Sequence, residues 1–421
     1  MTAKLSLNSA GRGPRPEGFA DWRARLDREQ IAPVIAVAGS RGKTSVLRAV
    51  ESILREGGYR FASWTDRGVE IEGERQRGEL GPWSRALTRL AAGGLDVALQ
   101  EVDWATIQAA GAPGAMYPVV AVANLCANSE ACLVSPGMAL ATKALARIRS
   151  NVAPSGLLIL NADDFAVSDD HADGGANRFL VGMNPDTPVL GRHLKRGGDA
   201  CWVGGGALRM QEHNKLKTLL DVRMLGWTGN GTIPFAVHNA LMAAAIARGC
   251  GLPHDLIAFG LSAHDARPET MPGSFNVFNA GSSSVVVDRP MPPWFLRLSL
   301  RAIASLGEGR QIHVAGPMET VSTDDLFEVG RLLGRNGGAM IVHSSWTADR
   351  NSLFRQGASG NSVPPLFIQT IDERTAVELG LGMLRSDDVM LVLAENAQPV
   401  VRLLDRRFGR PGARRETAGA A

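Results

Sequence analysis

The sequence predicts an α/β protein of two consecutive domains, a larger and a smaller one, each with a mainly parallel sheet flanked by helices. Three observations carry that expectation. Short apolar, β-branched runs alternate with helix-length stretches along most of the 421 residues, as crossover connections between parallel strands require. A polar, proline-marked stretch at 264–273 interrupts the alternation, which then resumes. A glycine turn with a lysine–hydroxyl pair follows the first apolar run, in the place that a phosphate-binding loop takes between strand and helix.

Residues 1–32 form an N-terminal extension whose first part is polar and Gly/Pro-rich, without the apolar centre of a signal peptide. Residues 34–38 are the first strand, Gly39-Ser40-Arg41-Gly42-Lys43-Thr44-Ser45 the turn, and 46–56 the helix behind it. Five positions before Gly42 stands Val37, so the long G-x-x-x-x-G-K-[ST] form fails and the compact G-x-x-G-K-[ST] form remains. Residues 96–101, 119–125 and 157–160 read as further strands of a domain covering 33–268. Ligands of open α/β sheets bind at the carboxyl ends of strands, which makes Glu101, Asn124 and residues 161–164 candidates by position. Residues 165–232 are Gly-rich, with β-like pieces at 178–182, 200–203 and 221–225, and read as a β-rich insertion. Ala, Leu and Met recur at helical spacing through 234–248. Strand-like runs at 284–288, 311–315, 339–343 and 389–393 belong to a second α/β domain at 269–405, with 406–421 a disordered tail.

Composition excludes several classes. At 45% hydrophobic and 21% charged the chain has material for ordinary soluble cores. A net charge of +3, with basic residues concentrated only at 402–415, gives no nucleic-acid signal. Cys126, Cys132, Cys201 and Cys250 show neither metal-ligand spacing nor a disulfide framework, and read as buried thiols of a reducing cytoplasm. No apolar run approaches the ~18 residues of a membrane span. The expectation is a cytoplasmic protein with no nucleic-acid and no membrane partner.

The turn carries the chemistry. Gly39 and Gly42 let backbone N–H groups approach a polyphosphate at the positive end of a helix. Lys43 would neutralise β/γ-phosphate charge and Thr44 would offer its hydroxyl to Mg²⁺, so ATP with Mg²⁺ is the expected ligand.

At this point the chain resembles the Mur ligases and, among them, the C-terminal half of cyanophycin synthetases. The turn is similar to the family's G-T-x-G-K-T-[ST]. Trp64-Thr65-Asp66-Arg67-Gly68-Val69 looks like T-T-D-G-V, Gly81-Pro82-Trp83-Ser84 like G-P-W-S, and Leu160-Asn161-Ala162-Asp163-Asp164 like L-N-A-D-D. Residues 235–241 resemble F-N-V-x-N-A-L, and Pro272-Gly273-Ser274-Phe275-Asn276-Val277-Phe278 resembles P-G-R-F-N-x-F. The resemblance implies a Mur ligase-like central P-loop ATPase domain followed by a Rossmann-like C-terminal domain. It implies ATP-dependent amide formation, in which a carboxylate attacks the γ-phosphate and an amine captures the acyl phosphate. By the same resemblance Glu101 completes the metal site with Thr44, and Asn239 lies on the adenine side; Asn161 and either Asp163 or Asp164 are expected to reach the nucleotide beside residues 39–45, while His238, a lone histidine, reads as a helix-surface imidazole.

Departures are concentrated in particular places. The A-R-G-G that follows the glutamate in cyanophycin synthetases is here Val102-Asp103-Trp104-Ala105, and the N-x-x-x-D-H-x-x stretch leaves only Asn124 and Glu130 as metal-side groups. The P-G-R arginine is Ser274, and D-Y-A-H-N-P is Asp288-Arg289-Pro290-Met291-Pro292-Pro293. Lys143 is the nearest candidate for the family's carbamylated lysine. An active ligase would need Arg289 or Arg267 to restore the missing cation, giving Lys43, Glu101 and Arg289 as the catalytic set. The competing reading is a nucleotide-binding partner subunit of a complete ligase; a small-molecule kinase fits the compact loop and second domain poorly. With about 32 residues ahead of the first strand, no counterpart of the ATP-grasp half of cyanophycin synthetases or of the family's UDP-sugar-binding domain is expected in this sequence. The expected partners are therefore an amino acid or short peptide substrate, and a separate ligase chain or a homo-oligomer.

Overall fold

The computed structural model describes residues 33–66, 68–76, 94–110, 117–127, 129, 132, 136–168 and 177–409. The chain divides after Asp265 into two compact units.

The first unit is built on one sheet of eleven strands: β1 (Val34–Ala38), β2 (Phe61–Thr65), β3 (Gly68–Ile71), β4 (Glu74–Arg75), β5 (Val97–Val102), β6 (Tyr117–Val122), β7 (Val152–Asn161), β8 (Asn177–Gly182), β9 (Asp199–Gly204), β10 (Ala207–Glu212) and β11 (Lys215–Asp221). Their order is β11-β10-β9-β8-β7-β6-β1-β5-β2-β3-β4. From β2 to β9 across the sheet the pairs are parallel, and the antiparallel hairpins β2–β3–β4 and β9–β10–β11 form the margins. The helices are α1 (Lys43–Glu56), α2 (Trp104–Ala110), α3 (Pro136–Ser150), α4 (Phe165–Ser168), α5 (Pro188–Lys195), α6 (Pro234–Gly249) and α7 (His254–Ala263).

Strands β1 and β6 are buried on both faces, which is why they read as unbroken apolar runs and not as alternation. Helix α6 is apolar all round because all of 236–247 is buried between the sheet and its neighbouring helices. Helices α1 and α7 cross at Gly260, where a Cβ would lie 2.4 Å from Ile53 Cα, and Ser52 Oγ donates to Gly260 O at 2.9 Å. That contact requires glycine at the crossing.

Several boundaries differ from the sequence reading. Helix α1 begins at Lys43, three residues early, because Gly42 in the left-handed region (φ 83°) ends the loop there. Residues 177–221 continue the main sheet and do not fold apart from it. The strand expected at 221–225 stops at Asp221, whose carboxylate accepts Arg223 N at 2.8 Å and starts a 3₁₀ turn.

The second unit carries a six-stranded sheet of β12 (Asn276–Ala280), β13 (Ser283–Asp288), β14 (Gln311–Ala315), β15 (Ala339–Val342), β16 (Leu366–Gln369) and β17 (Val389–Leu393), in the order β12-β13-β17-β14-β15-β16. Only β12 pairs antiparallel. Helices α8 (Pro293–Ile303), α9 (Thr323–Gly334), α10 (Ala348–Ser359), α11 (Glu373–Met383) and α12 (Ala397–Phe408) connect or follow the strands. Phe278, Val285, Val314, Ile341 and Val392 pack with Val377, Val400 and Leu404 as its core. Helix α12 runs to Phe408, so three residues of the expected tail are helical; 410–421 lie outside the described residues.

Candidate nucleotide-binding site

Chain order places this site. After β5 on one side of β1 the chain crosses to β6 on the other, so the carboxyl ends of β1, β5 and β6 open a crevice at the point where the winding reverses. The loop from Gly39 to Gly42 lies there, ahead of α1. Gly42 has two reasons to be glycine: its φ of 83°, and the Asn239 side chain, whose Oδ1 would lie 2.7 Å from a Cβ at that position. Asn239 of α6 is thereby shown to lie against the loop.

Glu101 pairs in register with Val37 and projects beside the loop. Its Oε2 accepts the Thr44 hydroxyl at 2.8 Å, and its Oε1 lies 3.4 Å from Lys43 Nζ. Lys43 Nζ also donates to Gly39 O at 2.9 Å, closing over the loop to which it belongs. One cation, one carboxylate and one hydroxyl thus converge at the positive end of α1, which has no acidic residue in its first turn. Among the described residues no group of three or more His, Cys, Asp and Glu is placed to hold a metal ion. Thr44 and Glu101 nonetheless suit Mg²⁺, which is commonly held by one or two protein oxygens together with water and substrate phosphates.

The loop is fastened from outside. Asn124 Oδ1 accepts Arg41 N at 3.0 Å while its Nδ2 donates to Arg41 O at 2.8 Å. Ser40 N donates to Asn124 O at 3.1 Å, and Ser40 Oγ donates to Leu125 O at 2.6 Å. The Trp104 indole, at the start of α2, donates to Ser40 Oγ at 3.0 Å. Asp164 holds the next layer: its Oδ2 accepts the N–H groups of Leu125, Cys126 and Ala127 at 2.7, 3.1 and 3.0 Å. Asn161 Nδ2 donates to Ala123 O at 2.7 Å, and its Oδ1 accepts Asp163 N at 2.8 Å. Asp163 in turn accepts Met183 N at 2.7 Å, and burial raises its carboxyl above the usual range.

These contacts correct several expectations. Asp164 has no exposed surface and cannot touch a nucleotide, and Asn161 is engaged with backbone; both position the segment that holds the loop. Asn124, expected on the metal side, clamps Arg41. Lys143 lies on the exposed side of α3, whose Ala141, Ala144, Leu145 and Ile148 are buried. His238 is not on a surface: it is buried in α6, where burial pushes its imidazole down to about 4 and keeps it neutral near pH 7. Arg67, residues 81–84, Asn128 and Glu130 lie outside the described residues. Arg289 belongs to the second unit, exposed after buried Asp288, which accepts Arg289 N at 2.8 Å; its Cγ would lie 2.8 Å from a Cβ at Gly273. The role of Trp104 escaped the sequence, although a tryptophan directly after a central strand's carboxyl end is a signal of position.

No family profile matches the chain. Cyanophycin synthetase of Synechocystis sp. is 26% identical over 397 residues, covering 89% of this chain and 44% of that protein. That of Trichormus variabilis is 25% identical over 387 residues, covering 89% and 42%. The chain therefore spans less than half the length of the curated relatives it matches. Among solved structures, Escherichia coli FolC in complex with ADP superposes with a TM-score of 0.62 at 16% identity, covering 94% of this chain and 99% of FolC. A pseudomurein peptide ligase type C from Methanothermus fervidus gives 0.62 at 16%, covering 91% and 80%. A bifunctional folylpolyglutamate synthase/dihydrofolate synthase with Mn, AMPPNP and L-glutamate bound gives 0.61 at 16%, covering 95% and 96%. The fold is that of the Mur ligases. Within that class, the distant homology of this chain is to cyanophycin synthetase.

Proposed function

We propose that this protein is an ATP- and Mg²⁺-dependent acid–amino acid ligase that joins a carboxylate to the amine of an amino acid or short peptide through an acyl phosphate. The observation that carries the reading is the convergence of Lys43, Thr44 and Glu101 on a glycine loop at the head of α1. Relatives of the same fold bind ADP, or AMPPNP with Mn, and one holds L-glutamate. When bound, ATP with Mg²⁺ supplies an activated phosphoryl group and charge neutralisation. The N–H groups of the loop and Lys43 orient that group and balance its charge, while Thr44 and Glu101 hold the cation. Ser40, Asn124, Trp104 and Asp164 keep the loop in one shape, so little reorganisation accompanies binding. Arg289 is the proposed candidate for a further cation in the reaction. The reaction takes place in the cytoplasm; among the described residues no helix is long and apolar enough to cross a membrane.

A second reading, a nucleotide-binding partner of a complete ligase, is favoured by the exposed position of Lys143 and by the commitment of both amide atoms of Asn124 to Arg41. Phosphate release from ATP, measured across amino acids and short Asp/Arg peptides, decides. Release that depends on an amino acid supports the ligase. Tight nucleotide binding without such release, with or without a second chain of the same protein, overturns it in favour of the partner subunit.

A further inference from the structure

Three sulfur-bearing side chains meet just past the carboxyl end of β6. Cys126 follows Leu125, whose carbonyl accepts the Ser40 hydroxyl, and it has no exposed surface. Its thiol and that of Cys132 are in hydrogen-bonding contact. Cys132, partly exposed, also places its Sγ 3.8 Å from Sδ of Met138, a buried residue in the first turn of α3. The separation of the two cysteines along the chain matches no metal-binding motif, so the fold alone brings them together.

Two further observations favour a cation there. Contact with Cys132 first, and burial second, raise the Cys126 thiol, because a thiolate at this place is both crowded and desolvated. An ion bound by the sulfurs removes both penalties. Asp164 adds negative charge near Cys126, and its Oδ1 is buried with no hydrogen-bond partner among the described residues.

We propose that Cys126, Cys132 and Met138 form a binding site for a soft monovalent cation, Cu(I), separate from the loop at residues 39–45 and independent of the ligase reading. Thiolate and thioether sulfur select such an ion. With metal–sulfur bonds of about 2.3 Å, three sulfurs arranged in a plane around it stand about 4 Å apart, close to the 3.8 Å between Cys132 and Met138. Zn²⁺ is served less well: it takes four ligands from cysteine, histidine and carboxylate, and among the described residues no three such groups are placed to hold a metal. Binding releases the two thiol protons to solvent and leaves the oxidation state of the ion unchanged. Cys132, with its exposed surface, is the point of entry.

The test is titration of the reduced full chain with Cu(I), without oxygen, against a chromophoric Cu(I) chelator of known affinity. One ion per chain should leave the chelator, and X-ray absorption should show sulfur neighbours. Replacing groups behind a metal's own ligands already costs about 10–100-fold in affinity, so Cys132→Ser should weaken binding roughly a hundredfold or more, and Met138→Leu roughly tenfold. Cys132 is partly exposed, and an unchanged circular dichroism spectrum confirms that its serine variant is folded. Native affinity in either variant, an ion surrounded mainly by nitrogen or oxygen, or displacement of Cu(I) by Zn²⁺ at equal concentration overturns the proposal.

Discussion

Replacing Asp164 by asparagine separates a residue that touches nucleotide from one that holds the loop around it. One carboxylate oxygen accepts three consecutive backbone N–H groups, of Leu125, Cys126 and Ala127, at 2.7–3.1 Å in a site without solvent exposure. Hydrogen bonds to a charged acceptor each contribute about 1.5–3 kcal/mol, and the amide keeps one neutral acceptor oxygen, so a net loss of about 2–4 kcal/mol is expected. For a unit of this size that corresponds to a fall in Tm on the order of 10 °C. Leu125 O and Asn124 hold Ser40 and Arg41, so nucleotide affinity should fall in parallel, equally with and without Mg²⁺. Differential scanning fluorimetry and nucleotide titration, run on the same preparations, read both quantities. A folded Asp164→Asn protein of native Tm that had lost nucleotide affinity would refute the reasoning, because that pattern belongs to a direct contact.

Lys43→Ala should weaken ATP binding at least tenfold while leaving Tm within about 1 °C of native, since among the described residues the lysine contacts Gly39 O and Glu101 at the loop; fluorescent-nucleotide titration checks this. Glu101→Gln should reduce affinity for ATP with Mg²⁺ more than for ATP in EDTA, and equal losses would assign Glu101 to packing. Gly42→Ala places a Cβ 2.7 Å from Asn239 Oδ1 at φ 83°, so it should destabilise the loop by about 1–2 kcal/mol and cost most of the nucleotide affinity; native affinity by titration would contradict the fit. In the second unit, burial and then the charge of Glu395 push Glu373 up from 4.5 to about 7. A carboxyl whose folded pKa is raised contributes stability below pH 4.5 that is lost as pH rises to about 7, so Glu373→Gln should melt above the native protein at pH 8, with the advantage shrinking toward pH 4.5. His343, 3.9 Å away and held down to about 4 by burial, stays neutral there and gives Glu373 no cation; a pH-independent difference in Tm would reject this account.

What the sequence displayed best was local. The strand, the compact glycine turn and the helix are contiguous, and the chemistry of Lys43 and Thr44 follows from their spacing, so the loop was legible without any fold. Central strands were legible because burial on both faces leaves an unbroken apolar run, as in β1 and β6. The stretch at 177–221 was legible as strand-rich but not as part of the main sheet, because pairing with β7 is a property of register between distant segments.

The sequence by itself determined that a compact glycine turn with Lys43 and Thr44 heads the first domain and that a second α/β domain follows, since both rest on periodicity and spacing along a few residues. Tertiary structure alone decided what holds the loop: Asn124 reaches Arg41 across 83 positions, Trp104 reaches Ser40 across 64, and Asp164 reaches Leu125 across 39. An asparagine or aspartate at a strand end looks the same in sequence whether it faces a ligand or a backbone. Buried N–H groups must find an acceptor, and which side chain supplies it is fixed only when distant strands lie side by side.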